Sequence, residues 1–458
     1  MVKVREQDIA TLSSGLQHGE FTSVALTKAY LERIAFFGTP PFNVNAVIFV
    51  NPDALAEAEG LDKERRHGHV RGPLHGIPIL VKDNIDVAGL PTTAGALALA
   101  DNIATQDAEL IKKLREAGAI ILGKTNLSEF AHFKSDIEPS GFSVLGGQTI
   151  NAIFPDLTPS GSSSGSGVAA SLSLAAVTIG TETNGSILAP AQANSVVGLK
   201  PTLGAWPVVG ILPLAHSQDA PGPIGRTVAD VATVWRALGG VTTDAVNDVT
   251  VLQPDETDVL AQHVVTQMIS NLANFRFKRY DGVLPPSDEA AEYQRLLFEF
   301  KHDLDEYLRE RGRNQSLTDI IAYNNADLTT RAPFGQNLLL AAEATTGDLS
   351  SPVYQDVDRR ARNYATTSLE KLLTASDVVV GADFRLVDFA AVAGYPSISI
   401  PFGQFGDVTF GGLASIIAVT RPHEEAKLLT FAQAAEEIGQ RVIPSLGEDS
   451  ETMAWQRD

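Results

Sequence analysis

Apolar residues recur at helical spacing through residues 20–35, where Leu26, Tyr30, Ile34 and Phe37 share a face, and the Ala-, Glu- and Lys-rich stretch Asp53–His67 reads as a second helix. The N-terminal MVKVREQDIATLSSGLQHGEF also reads as a helix, with Lys3, Arg5, Glu6 and Asp8 on its wet side. From Gly72 the rhythm changes. A short run of β-formers, Ile77 to Val81, ends at Lys82-Asp83-Asn84. Asp107–Gly118 is a helix closed by its glycine; the strand Ala119–Leu122 follows, and then Asn126 or Ser128 is placed to cap another helix. This alternation predicts an α/β sheet.

Further along, the uncharged run from Gly167 to Gly180 predicts a buried helix, too short to span a membrane, and the stretch from Gly180 to Gly204 reads as loop. Thr227 caps a helix, residues 288–312 and 355–374 are charged amphipathic helices, and Ala426–Gln440 is a closing helix. Asp377–Val380 and Ser397–Ile400 are strands. No Pro/Gly-rich linker divides the chain, which predicts one domain over residues 1–458 with a helical excursion between about 285 and 376.

Composition narrows the chemistry. Zero cysteines exclude disulfides, a thiol nucleophile and thiolate metal sites, so covalent catalysis must use oxygen or nitrogen. A net charge of −20 works against nucleic acid as ligand, no run is apolar enough for a membrane, and the absence of a secretory pattern leads us to expect a cytoplasmic protein. The nine histidines show no metal-ligand spacing.

The stretch TPSGSSSGSG, from Thr158 to Gly167, has the composition of a flexible linker, yet it runs straight into the buried helix and supplies its first turn, which favours a packed loop. Its GSSSG formally matches a nucleophile elbow at Ser163, but Pro155 and Pro159 stand where that elbow needs a strand. What remains is a serine that needs a neutral amine as base. Lys82 and Lys124 both end apolar strands and both qualify, because apolar surroundings disfavour an ammonium. Asn184-Gly185 before Ser186 favours a turn with positive φ that turns backbone N–H groups outward.

Taken in order, GPLHGIPILVKDNI, AGAIILGKTNLSEF, PSGSSSGSGVAA, GTETNGSI, VVGLKPTLG and LPLAHSQDAPGPIGRTVAD resemble the amidase signature family, densely over residues 70–235 and most closely in its single-chain, peptide-amidase-like branch. The resemblance implies an α/β/α sandwich around a large mixed sheet and a Ser-cisSer-Lys triad of Lys82, Ser162 and Ser186. It thereby selects Lys82 over Lys124. It implies an oxyanion hole from the backbone of Thr183, Asn184, Gly185 and Ser186, a cis peptide from Gly161 to Ser162, and support from Ser163. The implied reaction is cofactor-free and metal-free hydrolysis of a small-molecule amide through an acyl-enzyme, by a monomer or homodimer. Two alternatives share the triad: the glutaminase component of a tRNA-dependent amidotransferase, and a specialised amide or ester hydrolase. The chain departs from the branch at Ser160, at Asn184, at Ala189-Pro190 and after Val380, where the change points to a reshaped acyl pocket.

Overall fold

The computed structural model describes residues 2–256, 258–282, 284–382, 384–405 and 412–446. Its strands are β1 (Val47–Val50), β2 (Pro78–Lys82), β3 (Ile120–Thr125), β4 (Phe142–Ser143), β5 (Gly147–Gln148), β6 (Val177–Glu182), β7 (Val197–Lys200), β8 (Ala220–Gly225), β9 (Asp248–Leu252), β10 (Arg276–Tyr280), β11 (Val378–Gly381), β12 (Ser397–Gln404) and β13 (Leu413–Val419). Eleven of them form one sheet in the order β1-β3-β2-β6-β8-β7-β12-β13-β11-β9-β10, and β4 and β5 pair separately. The sheet is mixed. β3, β2 and β6 run parallel, as do β11, β9 and β10, with antiparallel pairs between them.

Alternation along the strands sends successive side chains to opposite faces. Val378 and Val380 of β11, with Ile416 and Ala418 of β13, join a cluster with Val231 and Val234 of the helix Val228–Ala237 and Leu428 and Phe431 of the helix Glu425–Ile438. Val379, Ile417 and Val419 face the other way, onto Ala361, Ala365 and Leu369 of the helix Pro352–Leu373 and Leu386 and Ala390 of the helix Arg385–Ala393. Helices therefore cover both faces, giving the expected α/β/α sandwich. A third cluster joins the helix Glu289–Glu310 to the segment after β3, where the Phe300 ring centroid lies 5.0 Å from Phe133 and 5.9 Å from Phe130. Burying the Phe300 ring contributes on the order of 2–3 kcal/mol.

Four expectations change. The uncharged run after Gly167 is two elements: the helix Ser164–Ser171 ends early, Ser173 takes a positive φ of 54°, and the β-branched residues from Val177 onward enter β6. A short apolar run fits either element, and β-branching decides it here. The stretch read as loop contains the helix Leu188–Ala193 and strand β7. The first helix begins at Ile9, capped by the Asp8 side chain on Thr11 N–H, so Lys3, Arg5 and Glu6 precede it. Ser128 starts no regular helix, because Phe130, Ala131 and His132 have φ of 49°, 56° and 72°.

Candidate active site

Parallel strands deliver the site. β2 ends at Lys82 and its neighbour β6 at Glu182, so Lys82 meets Thr181, the penultimate residue of β6, at the carboxyl edge of the sheet, where α/β folds place ligands. Lys82 is fully buried, and its Nζ donates to Ser162 Oγ at 2.8 Å, to the Thr181 carbonyl at 3.1 Å and to Thr181 Oγ1 at 2.9 Å. All three acceptors are uncharged. Burial pushes the ammonium down to about 7, against the weaker upward pull of Asp219 and Glu182. As a free amine, Lys82 has N–H donors for Thr181 and a lone pair for the Ser162 proton.

Ser162 lies just ahead of the helix Ser164–Ser171 and follows a cis peptide from Gly161. A Cβ on Gly161 would stand 2.4 Å from Ser128 Oγ, so a side chain there would displace that hydroxyl. The Ser162 carbonyl accepts from Ser128 N–H at 3.1 Å. Ser163 Oγ donates to the Thr181 carbonyl at 3.0 Å, and Ser163 N–H donates to the Ser186 carbonyl at 3.1 Å. These bonds stitch the loop carrying Ser162 to the one carrying Ser186.

The turn from Thr183 to Ser186 is held from outside. Gly185 takes a φ of 77°, as Asn-Gly turns do. Glu182 Oε2 accepts the N–H groups of Ile187 at 2.7 Å and Leu188 at 3.0 Å, fixing the exit of the turn. Thr183 Oγ1 donates to Asp219 Oδ1 at 2.6 Å, and Asn184 Nδ2 donates to Glu292 Oε1 at 2.9 Å. The N–H groups of Thr183, Asn184 and Ser186 donate no hydrogen bond among the described residues. The Ser186 side chain is 7% exposed, and its hydroxyl has no hydrogen-bond partner among those residues.

The structure thus brings Lys82, Ser162, Ser163 and the Thr183–Ser186 turn together, and it leaves Lys124 apart. Lys124 Nζ lies 3.1 Å from Asp83 Oδ1, and neither side chain is exposed. Sequence reasoning missed Thr181, which receives the amine, Asn84, whose Nδ2 donates to Thr181 Oγ1 at 3.1 Å, and Asp219. All three stand inside motifs already quoted, so the signal was present without an assigned role. Among the described residues one group has ligand atoms close enough for a metal ion: His216, Glu299 and Asp303. His216 Nδ1 lies 2.9 Å from Asp303 Oδ2, a bond that pushes the imidazole up to about 9.

The family model described as Amidase matches residues 25–306. A probable amidase of Arabidopsis thaliana is 34% identical over 474 residues, covering 93% of this chain and 91% of that protein. The chain belongs to the amidase family. It is an amide-hydrolysing enzyme by that membership, and its sheet matches a solved neighbour closely. The native peptide amidase from Stenotrophomonas maltophilia superimposes with a TM-score of 0.87 at 38% identity, covering 96% of this chain and 98% of that one. Similarity to a glutamyl-tRNA(Gln) amidotransferase component from Chloroflexus aurantiacus is narrower: 38% identity over 241 residues, covering 52% of this chain and 48% of that protein. No described helix is long and apolar enough to cross a membrane.

Proposed function

We propose that this amidase hydrolyses a small carboxylic acid amide, or the C-terminal amide of a peptide, to the acid and ammonia or an amine through an acyl-enzyme on Ser186. The observation that carries this reading is the 2.8 Å contact of Lys82 with Ser162, made by a lysine that burial holds near pKa 7. Neutral Lys82 accepts the Ser162 proton, Ser162 takes the proton of Ser186, and Ser186 Oγ bonds the carbonyl carbon. The N–H groups of Thr183, Asn184 and Ser186 receive the oxyanion, while the Gly185 N–H, expected to join them, is turned toward the Glu182 carboxylate. Collapse breaks the C–N bond, and the departing nitrogen takes its proton back along the same path. Water then attacks the ester, loses its proton to the path, and releases the acid with Ser186 reprotonated. The chain's own groups and water balance every step.

Likeness to a peptide amidase over nearly the full length of both chains supports a peptide or small linear amide as substrate. The amidotransferase reading is supported by the shorter likeness to the Chloroflexus aurantiacus protein. Ammonia release from a panel of amides of graded acyl size, by this chain alone, favours the first; activity only on adding partner chains favours the second. Ser186→Ala should abolish that release and labelling by a fluorophosphonate. Retained turnover in the variant overturns the assignment of Ser186.

A further inference from the structure

A cavity of about 820 Å³ opens beside the Ser186 turn, walled by Asn184 and by the helices Glu289–Glu310, Pro352–Leu373 and Arg385–Ala393. We propose that it binds an organic ammonium group. Its wall carries the carboxylates Asp281, Glu289, Glu292 and Asp388, against Arg385 as the one cation among the described wall residues. Arg385 Nη2 donates to the Gln253 carbonyl at 2.6 Å. The field in the cavity is therefore negative and repels an anionic ligand.

A second, independent observation points to a missing partner. Tyr364 lines the cavity and is 7% exposed, yet its buried hydroxyl has no hydrogen-bond partner. Buried hydroxyls are ordinarily paired. Burial, then Glu292, Asp388 and Glu289, push its ionisation upward, so it remains a neutral phenol whose oxygen is available to accept. Burial and the neighbouring Glu292 likewise push Asp388 up to about 6, a crowding of carboxyls that an ammonium relieves.

The rings choose the kind of cation. Tyr364 and Phe389 meet edge to face, with centroids 6.1 Å apart and planes at 70°. Such a corner, backed by carboxylates, suits an alkylammonium, which offers N–H donors to oxygen and a positive face to the rings. A bare metal ion fits poorly, because these carboxylates do not converge as ligands; among the described residues only the His216 group does. The ammonium can arrive as part of the amide substrate or as a separate amine. Binding itself does not depend on the role of Ser186.

Calorimetric titration with 1,5-diaminopentane against 1,5-pentanediol, at fixed ionic strength, tests the site. Saturable binding of the diamine, at least about tenfold tighter than the diol, is expected for a charge held by carboxylates. Tyr364→Phe should weaken it about fivefold and Asp388→Asn about tenfold. Ser186→Ala should bind as the wild type does, so loss of turnover with retained diamine binding separates the two readings. Equal binding of diamine and diol, or undiminished affinity in both variants, overturns the proposal. If Asp388→Asn fails to fold, Tyr364→Phe, which fills the same space, carries the test. Preferred turnover of lysinamide over norleucinamide, with competitive inhibition by the diamine, assigns the ammonium to the substrate. Diamine binding without effect on turnover assigns it to a separate ligand.

Discussion

β2 and β3 are neighbouring parallel strands, and each carries a fully buried lysine at its carboxyl end. Lys124 meets the carboxylate of Asp83 at 3.1 Å, whereas Lys82 meets a serine hydroxyl and the hydroxyl and carbonyl of a threonine. Depth is the same and the side chain is the same. Burial pushes both amines down, and only at Lys124 does a carboxylate in direct contact oppose it. That acid follows Lys82 directly in sequence, and it is Lys124, across the strand pair, that it reaches. The contacts, not the depth, therefore distinguish the proposed base from its neighbour, and burial alone is not diagnostic.

The strongest way to break this contrast is to remove each amine in turn. Lys82→Met should lower kcat/KM for amide hydrolysis by about 10⁴-fold or more, the scale on which members of a catalytic triad act. Ammonia release measures it. Lys124→Met should instead destabilise the fold by about 3–5 kcal/mol, because it strands the buried Asp83 carboxylate. Urea unfolding measures that, and Asp83→Asn in the same chain should restore part of it.

pH sharpens the contrast next. With Lys82 near 7, kcat/KM should rise with pH through about 7 and level off above, since the neutral amine is the working form. The linkage has a definite sign. Between about 7 and 10.5 the unfolded chain holds a proton on Lys82 that the folded chain lacks, so stability gained from this residue grows with pH across that window. Lys82→Met should lose this slope, and a profile indifferent to the substitution contradicts the depressed lysine. The smallest effect expected is that of Thr181→Val, which removes one of three acceptors around the amine and should cost about tenfold in kcat.

The sheet was legible where apolar runs were short and bounded by glycine or charge, as at Ile77–Lys82. It was not legible after Gly167, where the same small apolar residues serve a helix and then a strand, divided at Ser173. The choice between the two lysines came from resemblance, because only the fold shows which of them Asp83 faces. Thr181 and Asn84 were hidden for the same reason. Their chemistry is ordinary, and their distance from Lys82 or from each other is a property of the strand ends. The cavity wall was least accessible of all, since Asn184, Glu292, Tyr364 and Asp388 belong to four segments spread over half the chain.

The Asn184 side chain reaches Glu292, which Gln218 also contacts, and Gln218 is in turn held by Arg295, itself paired with Asp358. The turn that presents Ser186 is thus braced by two helices beyond the dense motif region. Modularity is limited accordingly. A chimera that exchanges the helices between about 285 and 376 for those of a relative must carry Asn184, Gln218, Glu292, Arg295 and Asp358 together, as one inherited cassette. Specificity engineered into those helices will otherwise reach Ser186 as misalignment.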